Sequence, residues 1–192
     1  VYYEEHGDVD VLNYGDMEEP EFGREEVLVD VKAGGLNHLD VWARKGMPSP
    51  GAFPHIPGSD AAGVVSAIGE DVTRFSAGDR VAVSPATFCG ECEFCRDGDT
   101  SLCESFALIG EHMGGVHGER AAVPEQNLVA VPEHVDFVTA ASAPLVFQTA
   151  WRMMVTRAEV GQSDSVLVLG ASGGVGHAAL QMAVNAGAEV YA

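Results

Sequence analysis

The chain of 192 residues carries 29 acidic and 10 basic side chains, which gives a formal net charge of −19 and a sequence pI of about 4.4. Such a surface repels the phosphates of nucleic acids and the head groups of anionic lipids, so neither is an expected partner. Lysine occurs only twice, a composition typical of proteins from salt-loving organisms, with an ordinary acidic cytosolic protein as the alternative.

The hydropathy of the chain argues against a membrane protein. No stretch approaches the roughly 18 consecutive apolar residues that a membrane helix needs. The start, Val1 to Glu5, lacks the basic and apolar regions of a secretory leader. We therefore expect a soluble, cytoplasmic protein that binds a small-molecule substrate. The chain begins without methionine and ends in an apolar run at Tyr191–Ala192, which suggests that both ends are cut.

Residues 1–132 read as short apolar runs broken by glycine, proline and aspartate. The clearest predicted strands cover Val27–Val31, Ala61–Val65 and Arg80–Val83, and the run Asn127–Pro132 closes the last strand. Strands of this length and spacing predict a compact β-rich domain, most simply a partly open β-barrel.

Every cysteine of the chain lies in one short loop, in the spacing Cys-x2-Cys-x2-Cys-x7-Cys. The four are Cys89, Cys92, Cys95 and Cys103. Converging thiolates suit Zn²⁺, and four of them leave no coordination position for water or substrate, so the spacing predicts one structural zinc. In iron–sulfur runs three residues separate the third and fourth cysteines, and a proline follows the fourth. Here seven residues separate them, and Glu104 follows. Two disulfides are the other alternative, which a reducing compartment disfavours.

After Pro132 the sequence pattern changes from strand-like to helical. Phe137–Arg157 is rich in Ala, Leu, Val and Met at helical spacing, with Pro144 interrupting it, and predicts a helix pair or a kinked helix. The apolar run Ser165–Leu169 predicts a parallel strand buried on both faces. A glycine loop, a helix over His177–Ala186 and a second apolar run follow, so this part of the chain is α/β.

The glycine loop holds the candidate cofactor-binding residues. They are Ala171, Gly173, Gly174, Val175 and Gly176. In the pattern Ala-x-Gly-x-x-Gly, Gly173 lets the backbone approach a pyrophosphate and Gly176 lets the helix pack on the strand. The first amides of the helix then point toward the phosphates. A purely structural glycine turn is the alternative. The residue that distinguishes NAD from NADP is expected about 20 positions beyond the loop start. The chain stops before that residue can be seen, so both cofactors stay candidates.

Together these features resemble the medium-chain dehydrogenase/reductase superfamily, which includes zinc alcohol dehydrogenases and quinone oxidoreductases. Besides the cysteine and glycine loops, the resemblance is carried by three motifs: Gly35–Asp40, His55–Gly63 and Gly78–Val81. It implies a GroES-like catalytic domain over residues 1–132, with a zinc lobe at 84–106. It further implies that residues 133–192 are linking helices and a truncated Rossmann dinucleotide-binding domain, and that the full-length protein is a homo-oligomer, a dimer or tetramer.

In the alcohol dehydrogenases of this superfamily, three residues hold a second, catalytic zinc. The matching positions here read Asn37, Ser59 and Leu145, and leucine is no zinc ligand. The hydroxyl and the histidine that relay the alcohol proton match Leu39 and Trp42. The resemblance therefore implies the zinc-independent branch, in which NADPH delivers hydride to a quinone or an activated alkene.

The candidate catalytic residues for that reaction are Asn37, Trp42 and Thr149. The resemblance implies that Asn37 lies near the nicotinamide as a hydrogen-bonding group, that Trp42 forms an apolar wall and that Thr149 lies beside the cofactor. A turn role for Asn37 and core packing for Trp42 are the structural alternatives. Two rival functions stay open: a zinc-dependent alcohol dehydrogenase with unusual ligands, and a non-enzymatic binding protein on this scaffold.

A different metal site is conceivable from four other polar side chains in the same motifs. They are His38, Asp40, His55 and Asp60. Their positions lack metal-ligand spacing, so we favour hydrogen bonds within loops and the capping of turns for them.

Overall fold

A computed structural model describes residues 1–47 and 52–192 of the protein. The chain forms two compact units, Val1–Ser142 and Ala143–Ala192. The first unit extends beyond Pro132, where the sequence changes from strand-like to helical, because the helix after that proline packs on the sheet of the first unit.

The first unit is built on an open, antiparallel five-stranded sheet. Its strands in chain order are β1 (Glu26–Gly35), β2 (Asp60–Ile68), β3 (Arg80–Val83), β4 (Ala86–Thr87), β5 (Ala107–Leu108), β6 (Arg120–Pro124) and β7 (Leu128–Ala130). The sheet has the order β6-β1-β2-β3-β7, while β4 and β5 pair with each other alone. Within the described residues β6 and β7 are its edges, which confirms the β-rich, partly open architecture predicted from the sequence.

Alternating apolar residues of this sheet fill the core of the first unit. Val27 and Val29 of β1 are fully buried and pack with Val65 of β2 and Val81 of β3. Because alternate residues of a strand share one face, Val27 and Val29 point to the same side of β1. Each fully buried valine contributes about 1.5–3 kcal/mol relative to leaving it in water.

Three short α-helices accompany the sheet. They are α1 (His38–Arg44), α2 (Glu93–Arg96) and α3 (Phe137–Ala141). The carboxylate of Asp136 accepts a 2.8 Å hydrogen bond from the backbone N–H of Thr139 and so caps the start of α3. That hydrogen bond also lowers the pKa of Asp136, since it favours the charged form.

The second unit has the predicted order of helices, strand, glycine loop, helix and strand. Its elements are α4 (Pro144–Trp151), which continues as a π-helical segment (Arg152–Arg157), β8 (Ser165–Leu167), α5 (Gly174–Asn185) and β9 (Glu189–Tyr191). β8 and β9 pair in parallel, and Pro144 occupies the first turn of α4, where its missing N–H costs nothing.

One expectation for the second unit is wrong in this chain, namely that β8 and its continuation are buried on both faces. Leu167 is 66% exposed and Leu169 is 84% exposed. Within the part of the chain that the structure describes, β8 pairs with β9 alone, and the buried cluster of this unit consists mainly of small side chains from α4 and α5 on one side.

In residues 1–47 and 52–192, no helix combines the length and the apolar character needed to cross a lipid bilayer.

Candidate functional site

The four cysteines converge at the tip of the segment between β4 and β5, which we call the zinc lobe (residues 84–106). Their Sγ atoms all lie within 4.8 Å of one another. Cys89 Sγ is 3.5 Å from Cys103 Sγ and 3.9 Å from Cys95 Sγ. Among the described residues, these four are the one group of three or more His, Cys, Asp or Glu side chains whose ligand atoms converge in this way.

These distances fit a tetrahedral zinc site. Zinc–sulfur bonds of about 2.3 Å in a tetrahedron place neighbouring sulfurs about 3.8 Å apart. Backbone amides also surround the sulfurs: the N–H of Cys92 donates to Cys89 Sγ, and the N–H of Ser105 donates to Cys103 Sγ, each at 3.3 Å. Amide donors stabilise thiolates, and the N–H groups of Glu91 and Cys92 lower the pKa of Cys89 to about 7. The donor set and its surroundings therefore match what a structural zinc requires.

A second polar cluster lies where β1 ends and α1 begins. Asn37 is the N-cap of α1. Its side-chain Nδ2 donates to Asp60 Oδ2 at 2.8 Å, and its backbone N–H donates to Asp40 Oδ2 at 2.7 Å. Asp60 is only 2% exposed. A single asparagine thus connects two aspartates, one from the first turn of α1 and one from the start of β2.

The electrostatics of this cluster follow from its burial. Removal from water raises the pKa of the Asp40 carboxyl, while the N–H groups of Asn37 and Gly58 and the imidazole of His117 act in the opposite direction. The hydroxyl of Ser59 is fully buried and meets no hydrogen-bond partner among the described residues.

His117 completes the cluster, and sequence reasoning missed it. Its Nε2 lies 3.0 Å from the carbonyl oxygen of Gly35, two residues before Asn37. Its backbone N–H donates to the carbonyl of Pro57, also at 3.0 Å. We call Asn37, Asp40, Asp60 and His117 the Asn37 cluster. A histidine that bonds to backbone carbonyls leaves no spacing pattern, so no signal in the sequence marked it.

Trp42, the predicted apolar wall, lies on α1, the helix that Asn37 caps. Trp42 is 50% exposed, and its ring meets the ring of His38 edge-on, with centroids 5.0 Å apart. Leu36, next to Asn37, is 87% exposed. A half-exposed indole is not packed in a core, which argues against core packing as the role of Trp42.

The predicted residues of the second unit lie on α4 and at the start of α5. Thr149 is exposed on α4, and its hydroxyl donates to the carbonyl of Leu145 at 2.8 Å. Gly173 is the N-cap of α5. A Cβ on Gly176 would lie 2.2 Å from the carbonyl oxygen of Gly170. The loop therefore requires glycine at 176, and the free amides at the start of α5 form a site that fits a pyrophosphate.

The alternative metal set from the sequence motifs, His38, Asp40, His55 and Asp60, does not converge. His55 illustrates why: it is buried, and its Nε2 lies 3.0 Å from the carbonyl oxygen of Gly110. Since a carbonyl oxygen only accepts, Nε2 carries the proton of that hydrogen bond and is no metal ligand.

Residues 23–133 match the family profile of the alcohol dehydrogenase GroES-like domain. The chain belongs to this family. It is 36% identical to a crotonyl-CoA carboxylase/reductase of Cereibacter sphaeroides, over 97% of this chain and 45% of that protein. The solved structure of an NAD-dependent alcohol dehydrogenase superposes with a TM-score of 0.95 at 44% identity, over 99% of this chain and 56% of that chain.

A quinone oxidoreductase of Pseudomonas syringae superposes with a TM-score of 0.80 at 32% identity, over 98% of this chain and 50% of that chain. The chain thus spans about half the length of the relatives it matches. Family membership confirms the resemblance and the GroES-like fold predicted from the sequence. The relatives themselves are named for alcohols, enoyl thioesters and quinones, so the choice among these chemistries depends on this chain's own residues.

Proposed function

We propose that the protein containing this chain is an NAD(P)H-dependent oxidoreductase that transfers hydride to a quinone or an enone without a catalytic zinc. The observation that carries the proposal is the 2.8 Å hydrogen bond from Asn37 Nδ2 to Asp60 Oδ2. By the family resemblance, Asn37 stands at a position from which a ligand would hold the catalytic zinc.

Three features of the chain support a reaction without a Lewis acid. The amide nitrogen of Asn37 is bonded to Asp60 and has no lone pair for a metal. Ser59 offers a hydroxyl in place of a thiolate or imidazole, and Leu145 offers no ligand atom at all. An acceptor that is already electrophilic, such as an enone or quinone, does not need metal polarisation.

The charge of the chain favours an uncharged acceptor over a coenzyme A thioester. With a formal net charge of −19, the surface of this chain repels the phosphates of coenzyme A at low ionic strength, as it does those of NAD(P)H away from the amides of α5. The exposed faces of Trp42 and Leu36 beside Asn37 instead offer apolar contact to a flat substrate.

The two remaining sites have supporting roles in this proposal. The bound nicotinamide cofactor supplies the hydride. The amides at the start of α5 bind its pyrophosphate, and Asn37 orients the reacting partners from the end of β1. The four cysteines hold one structural zinc and stabilise the lobe between β4 and β5.

A zinc-dependent alcohol dehydrogenase is the second candidate, favoured by the 44% identity to an NAD-dependent alcohol dehydrogenase. Steady-state assays of the complete protein separate the two. We expect turnover of a benzoquinone or an enone with NAD(P)H that persists after exchange with a chelator. Ethanol oxidation that disappears with the chelator, without enone or quinone activity, would replace this proposal by the alternative.

Cinnamaldehyde and cinnamoyl-coenzyme A, which carry the same conjugated alkene, test the substrate class. We expect the Michaelis constant of the thioester to fall steeply between dilute buffer and molar salt, because salt screens the phosphates, and that of the uncharged compound to change little. Equal salt dependence for both would count against an uncharged acceptor.

A further inference from the structure

Asn37 follows the end of β1, and Asp60 is the first residue of β2; the two strands pair up to Gly35 opposite Asp60. A third segment, the turn around His117 just before β6, contacts the chain on both sides of this last pair. The imidazole Nε2 is 3.0 Å from the carbonyl oxygen of Gly35 at the end of β1, and the backbone N–H of His117 donates to Pro57 in the segment that enters β2. Because a carbonyl oxygen only accepts, the proton of the first bond is on Nε2.

The ring of His117 lies in a slot formed by glycines. Gly58 has a φ of +101°, and a Cβ there would lie 2.2 Å from Cδ2 of the imidazole. A Cβ on Gly34 would lie 3.3 Å from the same carbon. Any larger residue at position 58 would displace the ring, so the fold leaves space for a flat side chain at this point.

The two chain segments that His117 contacts carry the partners of the Asn37–Asp60 hydrogen bond. Gly35 precedes Asn37 by two residues, and Gly58 precedes Asp60 by two. Strand pairing brings Gly35 opposite Asp60, where a Cβ on Gly35 would lie only 2.9 Å from Cβ of Asp60. Because Asn37 lies beyond this last pair, a displacement of about 0.5–1 Å of its segment would stretch the 2.8 Å hydrogen bond beyond the range of good geometry.

We propose that His117 is a positioning residue: its Nε2–H and its ring hold the end of β1 against the entry to β2, beyond the last strand pair, and thereby hold the Asn37 amide on Asp60. His117 acts through Asn37 and does not touch the reacting atoms. The effect on turnover rests on the proposed function of Asn37, whereas the effect on the amide itself does not. A misplacement of about 1 Å in such a group costs about 100-fold in rate.

Two substitutions in the complete protein separate the donor from the ring. His117→Phe keeps a flat ring and removes the N–H, while His117→Gln keeps an N–H donor at a similar reach. The same exchanges at His134, which is exposed in the first unit, are the matched controls. We expect His117→Phe to lower kcat about tenfold and His117→Gln to recover most of that loss, with the Michaelis constant for NAD(P)H changing less than about twofold.

A double-mutant cycle shows whether His117 acts through Asn37. In an Asn37→Ala background, His117→Phe should change kcat by less than about twofold, because the group that it positions is gone. Equal losses of kcat in both backgrounds, accompanied by a lower Tm, would reduce His117 to a structural role and overturn the proposal. So would an unchanged kcat in His117→Phe.

Nitrogen-15 NMR supplies a readout that needs no substrate. The Asn37 side-chain amide, identified by its loss in Asn37→Ala, should exchange with solvent at least about tenfold faster in His117→Phe than in the parent. In the parent, neutral His117 should be the Nε2–H tautomer, a result that holds even if His117→Phe does not fold. A neutral Nδ1–H tautomer, or an unchanged exchange rate, would overturn the proposal whether or not the protein reduces enones.

Discussion

The zinc lobe and the Asn37 cluster are two polar centres in the same unit, assembled in opposite ways. The lobe draws four like groups from fifteen consecutive residues, and a bound cation would offset the charge of thiolates that lie within 4.8 Å of one another. The Asn37 cluster combines unlike groups from three distant segments: N–H groups of Asn37 donate to Asp40 and Asp60, and the His117 ring lies at the Gly35 carbonyl. A metal would stabilise the first centre, whereas hydrogen bonds within the chain hold the second together.

We therefore expect the two centres to respond differently to the loss of a ligand. In a four-thiolate site, metal binding supplies folding free energy, so the loss of one ligand should destabilise the lobe. In the Asn37 cluster, the asparagine side chain instead supplies a donor that the Asp60 carboxylate accepts. The predictions below test this contrast.

The largest expected effect concerns rate. Asn37→Ala in the complete protein should lower kcat about 100-fold while the binding constant for NAD(P)H changes less than about threefold, because the amide orients the transition state more than the ground state. Asn13→Ala, an exposed asparagine of the same unit, is the control and should leave both unchanged. Equal kcat for Asn37→Ala and the parent would remove Asn37 from the active site.

The second prediction concerns stability. Cys95→Ser should cost about 4 kcal/mol, which corresponds to about 8–16 °C in Tm, because loss of a structural metal is among the most destabilising changes. Elemental analysis should find one zinc per parent chain and much less in the variant. Ser101→Ala, in the same lobe, is the control. A Tm that does not respond to Cys95→Ser would show that the lobe needs no metal.

The third prediction concerns salt. The excess of acidic side chains acts on the whole surface, so Tm should rise by about 5 °C or more between 0.1 and 2 M sodium chloride as repulsion is screened. Asn37→Ala and Cys95→Ser should show the same slope as the parent. A flat or falling curve in the parent would contradict adaptation to high salt.

The smallest expected effect concerns pH. Burial lowers the pKa of His55, although its hydrogen bond to Gly110 acts in the opposite direction. Below the unfolded pKa of about 6.5, the unfolded chain binds a proton that the native His55 resists. Stability should therefore be full above that pH and decline below it, toward the lower folded pKa.

The contribution of His55 is measured as a difference, because the raised pKa values of Asp40 and Glu111 act with the opposite sign at lower pH. Chemical denaturation of the parent and of His55→Asn between pH 7 and 5 should show a steeper loss in the parent. Parallel curves would mean that His55 titrates alike in both states.

The sequence predicted what is local and missed what is assembled from distant segments. The cysteine spacing and the glycine loop each lie within a few residues, and the short apolar runs of β1 and β2, bounded by turn residues, identified the sheet. His117 meets Gly35 across 82 positions and bonds to a carbonyl that every residue has, so no pattern could reveal the contact. The burial predicted for Leu167 and Leu169 was wrong for a similar reason, since burial of a strand depends on neighbouring elements that its own sequence does not encode.

The exposed side of β8 also affects how the polypeptide behaves in a concentrated solution. Exposed apolar side chains lie on and next to β8 and β9, namely those of Leu167, Leu169 and Tyr191. Among the described residues these two strands pair only with each other, so the outer edge of each can pair with another chain. A preparation of these 192 residues by themselves is therefore prone to associate edge to edge, while the strong negative charge of each molecule slows that encounter. The rate of aggregation in storage should consequently depend on ionic strength in a non-monotonic way. Added salt stabilises the fold, and it also reduces the repulsion that keeps the apolar strand edges of two molecules apart.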